Sequence, residues 1–130
     1  MSFTSQLKAF TDKTEKNGNK IFRGTSLSLF GRVVKRTPVL SGRLIGNWQT
    51  DVNKPKTVAI ERKGVSGALS EIAIETDKAR LGDSIYLTNN LPYAKRIEEG
   101  HSRIKAPAGM VRVTILEFER ELKKQARAVK

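Results

Sequence analysis

The stretch from Asn89 to Arg112 constrains the fold more than any other part of the chain. It reads Asn-Asn-Leu-Pro-Tyr-Ala-Lys-Arg-Ile-Glu-Glu-Gly-His-Ser-Arg-Ile-Lys-Ala-Pro-Ala-Gly-Met-Val-Arg. Pro92 suits the first position of a short helix that runs through Glu99, and Gly100 suits its end. Pro107 has the same starting role for a last, long helix. The stretch therefore predicts a strand end, a short helix, a basic loop and the start of a second helix.

The N-terminal third of the chain has the apolar spacing of a long helix. Phe3, Leu7 and Phe10 fall at helical intervals, and after a polar break near Gly18 the pattern resumes. We interpret this as one helix that is kinked or interrupted at the break, with a true loop between two helices as the alternative. Thr37-Pro38 ends it, because proline disfavours helical geometry in the residue before it.

The apolar pattern of the last helix is the most regular in the chain. On this pattern we expect Phe118 to face the core, as we expect of Trp48 in the middle of the chain. The stripe consists of Val111, Ile115, Phe118, Leu122, Ala126 and Val129.

The middle of the chain alternates between strand and helix signals. We predict strands over 44–52 and 84–89, a helix over 66–80 that stops at Gly82, and a further short strand over 57–60. Together these elements predict one α+β domain spanning residues 1–130. Its small antiparallel sheet is packed by a long N-terminal helix, a middle helix and a long C-terminal helix.

The chain has 130 residues and a net charge of +12. Residues 1–37 carry eight basic and two acidic side chains, residues 103–130 carry eight and three, and residues 38–102 carry nine and eight. The excess charge therefore belongs to the two terminal segments. It favours nucleic acid, anionic lipid or an acidic protein as partner, although solvated helix faces are the plainer interpretation of such runs.

The termini and hydropathy predict a protein without membrane contact. No apolar run approaches the roughly 20 residues needed to span a bilayer. The first residues lack the basic start and apolar core of a signal peptide. The absence of cysteine fits a reducing compartment, and we expect a cytosolic site of synthesis.

The residues suited to chemistry are few, and we expect no catalytic, metal or cofactor site. His101 is the single histidine and stands alone in a loop, whereas metal sites usually show several ligands at recognisable spacing. Asp51 with Glu61 and Lys63 resembles the magnesium-binding pattern of some nucleases only weakly. The glycines of 64–67 lack the Gly-Lys-Ser/Thr ending of a phosphate-binding loop.

Direct DNA binding without enzymatic activity is the alternative function that the charge favours. Phosphate contacts require only Lys and Arg on a common surface. No recognition motif for reading sequence is legible. The chain has eight aromatic residues in all, which leaves few to stack on bases.

A set of short fragments, in order along the chain, resembles the tail-completion or neck proteins of long-tailed bacteriophages, a family of head-tail joining and minor tail proteins. Where that family often has Asp-Thr before Gly-Arg-Leu, this chain has Leu40-Ser41, and the serine hydroxyl can still support the turn. The fragments are Thr37-Pro38-Val39, Gly42-Arg43-Leu44, Asn47-Trp48, Tyr86-Leu87-Thr88-Asn89-Asn90, Pro92-Tyr93-Ala94, Glu98 or Glu99 with Gly100 and Ser102, and Ala106-Pro107-Ala108-Gly109-Met110-Val111-Arg112.

The resemblance implies a structural virion protein at the head-proximal end of the tail. Such a protein forms a ring of six copies that completes the tail and helps to join it to the head. Its partners would be tail-tube or terminator proteins and head-tail connector proteins, with non-specific contact to DNA in the lumen. The implied location is the virion, and the host cytoplasm during assembly.

Nine residues are our candidates for contacts with neighbouring subunits or partner proteins. The basic ones suit charge-assisted bonds to carboxylates. Two of them, Tyr93 and Met110, suit apolar anchoring, with burial in the protein's own core as an equally weighted alternative. Because a closed ring needs two different surfaces per subunit, we place one at 100–110 and the other on the N-terminal helix. The nine are Arg43, Tyr93, Arg96, Glu99, His101, Arg103, Lys105, Met110 and Arg112.

Overall fold

The computed structural model describes residues 3–39, 41–99 and 109–129. Its first element, α1 (Phe3–Lys35), is one uninterrupted helix of 33 residues, about 50 Å long. The predicted interruption at Gly18, and the alternative of a loop there, are therefore wrong. Gly18 and Gly24 instead leave room for the side chains of Leu81 and Gln125, which occupy the space that a Cβ would need.

The predicted strand over 44–52 is correct only in its second half. Gly42, at φ 83°, leads into a single helical turn, α2 (Arg43–Gly46), and strand β1 (Trp48–Val52) follows. β1 pairs antiparallel with β2 (Ile85–Asn89), with Trp48 opposite Asn89. Gly46, the last residue of α2, lies against the Arg62 carbonyl, where a side chain would collide.

Residues 57–60 do not form the predicted short strand. Their backbone is held by side chains from the preceding segment instead of by a neighbouring strand. The Ile60 amide donates to Asn47 Oδ1 at 2.8 Å, and Gln49 Nε2 donates to the Val58 carbonyl at 2.8 Å. Residues 57–60 therefore lie beside the two-stranded sheet as irregular chain.

The remaining helices follow the predicted order with shifted bounds. The middle helix is α3 (Val65–Lys78), and the short helix is α4 (Ala94–Glu98), so Pro92 lies in the turn before α4 and not at its first position. The last helix is divided into α5 (Val111–Ile115) and α6 (Phe118–Ala128). Gly100 and Pro107 lie outside the described residues.

The main core lies where α1, α3 and β1 meet. Trp48 is buried there, as predicted, and its Nε1 donates to Thr37 Oγ1 at 2.7 Å, while that hydroxyl donates to the Val33 carbonyl at 2.8 Å. Buried polar groups of this kind are tolerated because they are bonded. The core consists of Val33, Val34, Ile45, Trp48, Ala68, Ile72 and Met110.

A second, smaller cluster joins α2 to α4. It consists of Leu44, Leu91 and Ala94, with Tyr93 and Ile97 packed against it. The observed architecture is thus an α+β fold with a small antiparallel sheet and long helices at both ends, as the sequence predicts. No helix in the described ranges is both long and apolar enough to cross a bilayer.

The predicted core position of Phe118 is wrong, although Val111 of the same stripe packs against the main core. Phe118, expected in the core, is 49% exposed, and Ile115 is 62% exposed. The buried residues of these two helices are polar instead: Thr114 and Glu121 are 3% and 2% exposed. The reason lies in the charged contacts between α1 and the two last helices.

Candidate functional site

A carboxylate at the end of α4 binds the start of α5. Glu98 Oε1 accepts hydrogen bonds from the backbone amides of Met110 and Val111 at 2.8 and 2.7 Å, and its Oε2 accepts from the amide of Arg112 at 3.0 Å. The first amides of a helix lack partners within the helix, and they favour a negative charge. We call this arrangement of Glu98 with residues 110–112 the clasp.

Arg112 closes the clasp from the other side. Its Nε lies 3.2 Å from Glu98 Oε2, and its second guanidinium nitrogen donates to the Glu98 backbone carbonyl. Both the carboxylate and the carbonyl of one residue are therefore bound. The clasp holds together the two ends of the segment 100–108, although 14 positions separate Glu98 and Arg112 in sequence.

Gly109 is the residue that permits this close approach. It has φ 87°, in the region that favours glycine, and a Cβ there would stand 2.5 Å from both the Glu98 carbonyl and its carboxylate oxygen. Two separate requirements, the backbone angle and the space, therefore exclude a side chain at this position.

Glu98 is charged in the clasp. Burial on its own would raise the pKa of this carboxyl, but the hydrogen bonds from the Val111, Arg112 and Met110 amides and from the Arg112 side chain outweigh it. The pKa of Glu98 consequently lies below its usual range.

The sequence-predicted contact residues fall at different places around the clasp. Met110 is 1% exposed and belongs to the main core, and Tyr93 packs against the second cluster, so both have the packing role that was the alternative. Arg112 is bound to Glu98 while its side chain remains 58% exposed. Arg96 is exposed on α4, and Glu99 is exposed directly after it, 3.9 Å from Lys95.

The other candidates do not join this group. Arg43 starts α2, where its Nη2 lies 3.7 Å from Glu61, and its buried Nε has no hydrogen-bond partner among the described residues. His101, Arg103 and Lys105 lie outside the described residues. Glu98 itself was not among the candidates, because a carboxylate that caps a helix from 12 residues upstream leaves no local spacing signal; capping boxes place the acid three residues after the cap.

A second set of charged contacts binds the last two helices to α1. Arg36 Nη1 donates to Glu117 Oε1 and, at 2.8 Å, to Thr114 Oγ1. Arg32 Nη2 donates to Glu121 Oε2 at 2.6 Å. We call these five residues the α1–α6 network. Glu117 stands in the turn between α5 and α6, where the chain has neither proline nor glycine.

Both network carboxylates are held in the charged form. The pKa of Glu117 is lowered chiefly by the hydrogen bond from Arg36. The pKa of Glu121 is lowered first by the hydrogen bond from Gln125, against the opposing effect of burial, and further by Ser28 and Arg32. The polar side of the two helices therefore faces α1, and the apolar side faces outward.

The outward apolar side borders a groove of about 390 Å³ between α1, β2 and α5–α6. Ile115 and Phe118, which are 62% and 49% exposed, line this groove, and Leu122, which is 36% exposed, follows about one turn later on α6. We call these three residues the apolar face. Contiguous exposed apolar side chains of this size are typical of contact surfaces between proteins. The groove is lined by Leu29, Phe30, Val33, Ile85, Tyr86, Leu87, Val111, Thr114, Ile115 and Phe118.

The weak nuclease pattern is not assembled in the fold. Asp51 lies on β1, where Lys56 approaches it at 3.4 Å, but Glu61 and Lys63 lie in irregular chain and not on a neighbouring strand. Arg62 between them has a structural role, since it donates to the carbonyls of Gly46 and Trp48 at 2.7 Å. Within the described ranges no group of three His, Asp or Glu residues could hold a metal ion.

The clasp predicts a pH-dependent contribution to stability. Because the pKa of Glu98 is lower in the folded protein than in the unfolded chain, its stabilising effect is complete above about pH 4.3, the ordinary glutamate value. The effect is lost as pH falls through the lower, folded-state pKa. We expect Glu98→Gln to lower the free energy of unfolding at pH 7 by about 1–3 kcal/mol, and the difference from the parent to vanish in acid.

Urea denaturation at a series of pH values measures this difference. The matched control is Glu99→Gln, which removes a neighbouring charge that is 55% exposed and should cost less than about 0.5 kcal/mol. Equal losses for the two variants at pH 7, or a Glu98 effect that persists in acid, would contradict the clasp.

Gly109 gives a second prediction, which separates the effect of its left-handed backbone angle from the effect of the space that a side chain would occupy. Gly109→Ala should be less stable than the parent by more than Gly82→Ala is, because Gly82 has φ 98° but open space around its Cβ position. The left-handed backbone costs about 1–2 kcal/mol for alanine at either site, so the excess measures the collision with Glu98. Thermal unfolding of the two variants gives the comparison, and equal losses would mean that no close contact exists at Gly109.

Comparison of the chain with protein-family models, with curated proteins and with solved structures gave no match. The likeness to phage tail-completion and neck proteins therefore rests on the fragments quoted for it. Three features of the molecule bear on its function: the clasp, the apolar face and the charges of the terminal helices.

Proposed function

We propose that this chain is a structural protein of a bacteriophage virion, which forms a ring at the head-proximal end of the tail, completes the tail and helps to join it to the head. The observation that carries this proposal is the apolar face, which the fold turns outward. The ring, its six copies and its neighbours in the tail and connector come from the resemblance of the quoted fragments.

The apolar face is suited to a permanent protein contact. Its three side chains lie at helical intervals beside an apolar groove, and together they form a surface continuous with the edge of the core. Burial of one such side chain is worth about 1.5–3 kcal/mol. A neighbouring subunit that covers this face would gain the free energy of burying these side chains, which are exposed to water in the monomer.

The first half of α1 offers the second, different surface that a closed ring requires. Gly18 and Asn19, in the middle of α1, contact Leu81. Before that point, the described side chains between residues 5 and 16 are exposed. A helical segment of this length is marginal in water without tertiary packing, and Phe3, Leu7 and Phe10 give it the spacing of an amphipathic helix.

The clasp joins the residues on either side of the basic segment 100–108, and that segment carries three of the candidate contact residues. Several fragments of the resemblance coincide with residues that have structural roles: Trp48 in the core, Gly109 and Arg112 at the clasp. A chain whose distinctive residues position surfaces, and not reactive groups, suits a component that acts by contact.

Charge placed in the apolar face should prevent assembly while leaving the fold intact. Ile115→Glu changes a side chain that is already 62% exposed, so its thermal unfolding should remain close to that of the parent. We expect the variant to be missing from purified particles, as measured by quantitative mass spectrometry of virions assembled with it.

The matched control is Val58→Glu, at a loop residue that is 71% exposed and lies outside the face. It should be incorporated at the parent's fixed, low copy number. Normal incorporation of folded Ile115→Glu would reject the face as a subunit contact, and absence of the parent chain from virions would reject the proposed function.

A further inference from the structure

The outer side of α6 carries a row of four cationic side chains. Arg120, Lys123, Lys124 and Arg127 stand at intervals of three, one and three residues, which places them on one side of the helix. All four are exposed, and the side chains of Arg120 and Lys123 are 77% and 69% exposed. We call these four residues the basic row.

The fold fixes the direction of the basic row. Glu121 and Gln125 form the side of α6 that faces α1, since Glu121 binds Arg32 and Gln125 lies against Gly24. Phe118 and Leu122 form the apolar face, which the proposed ring covers. The basic row lies on the third side of α6, which neither packs on α1 nor belongs to the proposed ring contact.

Local acidic groups do not neutralise the basic row. Glu119 lies 3.1 Å from Lys123, and Glu117 lies 3.3 Å from Arg120, but both are exposed pairs within one helix turn, which contribute little. Glu117 is also shared with Arg32 and Arg36. In the part of the chain that is described, no carboxylate lies within ion-pair distance of Lys124 or Arg127, although the charge of Lys124 helps to lower the pKa of Glu121.

We propose that the basic row binds the phosphate backbone of double-stranded nucleic acid without reading its sequence. The row spans about 10 Å of helix. A duplex presents one phosphate charge per about 1.7 Å of its axis, so about six charges lie within that span. Each of the four cations can therefore meet a phosphate.

The composition of the row favours nucleic acid over an acidic protein as the partner. Four cations within two helical turns are unusual at the centre of a protein interface, where charged residues are depleted and lysine is among the rarest. Three of the four line one groove with Glu117, Glu119 and Leu116, which is 85% exposed. Interfaces with nucleic acid are far more positively charged.

The test measures fluorescence anisotropy of a labelled mixed-sequence duplex titrated with the purified full chain. With four phosphate contacts, log affinity should fall with log salt at a slope of at least about 3.6, which is a loss of about 150-fold between about 50 and about 200 mM salt. Replacing all four residues of the row by glutamine should reduce the slope by about three to four. The pair Lys123→Gln and Arg127→Gln should reduce it by about half as much.

The control replaces four scattered exposed cations, so that the net charge changes equally: Lys54→Gln, Lys63→Gln, Arg80→Gln and Lys95→Gln. Its slope should match the parent's slope. Equal losses in the control and the row variant would reject the basic row in favour of net charge alone. Tighter binding of polyglutamate than of duplex at the same salt would reject nucleic acid in favour of an acidic protein.

This inference adds a partner class to the proposed virion component. The binding measurement uses the purified chain, whereas the ring proposal is tested by its presence in particles. Loss of duplex binding and absence from virions are therefore separate results, and either can occur without the other.

Discussion

Arg32 of α1 and Arg36, which directly follows α1, decide which side of the C-terminal helices remains outside. Arg32 and Arg36 bind Glu121, Glu117 and Thr114, and this places a polar side of α5 and α6 against the long helix. An apolar side would be the usual choice for a helix that packs on a core. Because the polar side is used internally, Ile115, Phe118 and Leu122 are left exposed. The surface on which the functional argument rests is thus a consequence of one set of ion pairs, not of an incomplete fold.

The clasp joins a different pair of helices. It binds α4 to α5 through one carboxylate and three amides, and it fixes both ends of the basic segment between them. In the proposed ring, tethered ends would reduce the conformational entropy that the segment between them loses on contact with a neighbour. The network and the clasp thus prepare surfaces that the monomer itself does not use.

The sequence predicted the elements better than it predicted their faces. Pro38, the strand before Asn90 and the buried Trp48 were recognised because turn chemistry and alternation are local signals. Gly18 was taken for an interruption, yet it serves close packing against Leu81, a residue 63 positions away. Phe118 was assigned to the core because helical periodicity identifies an apolar side but not what it meets. Glu98 was missed because its partners lie across the segment 100–108, and no single-sequence pattern reports such a contact.

In the assembly that we propose, another protein covers the apolar face. The chain has no cysteine, so Ile115→Cys introduces a single thiol into the face, and its rate of reaction with maleimide can be measured in the free chain and in purified virions. Val58→Cys supplies the same measurement at an exposed loop position. We expect Ile115→Cys to react rapidly in the free chain and to be strongly protected in virions. Equally rapid reaction of Ile115→Cys in both states, with the rate of Val58→Cys unchanged, would mean that the apolar face is not covered.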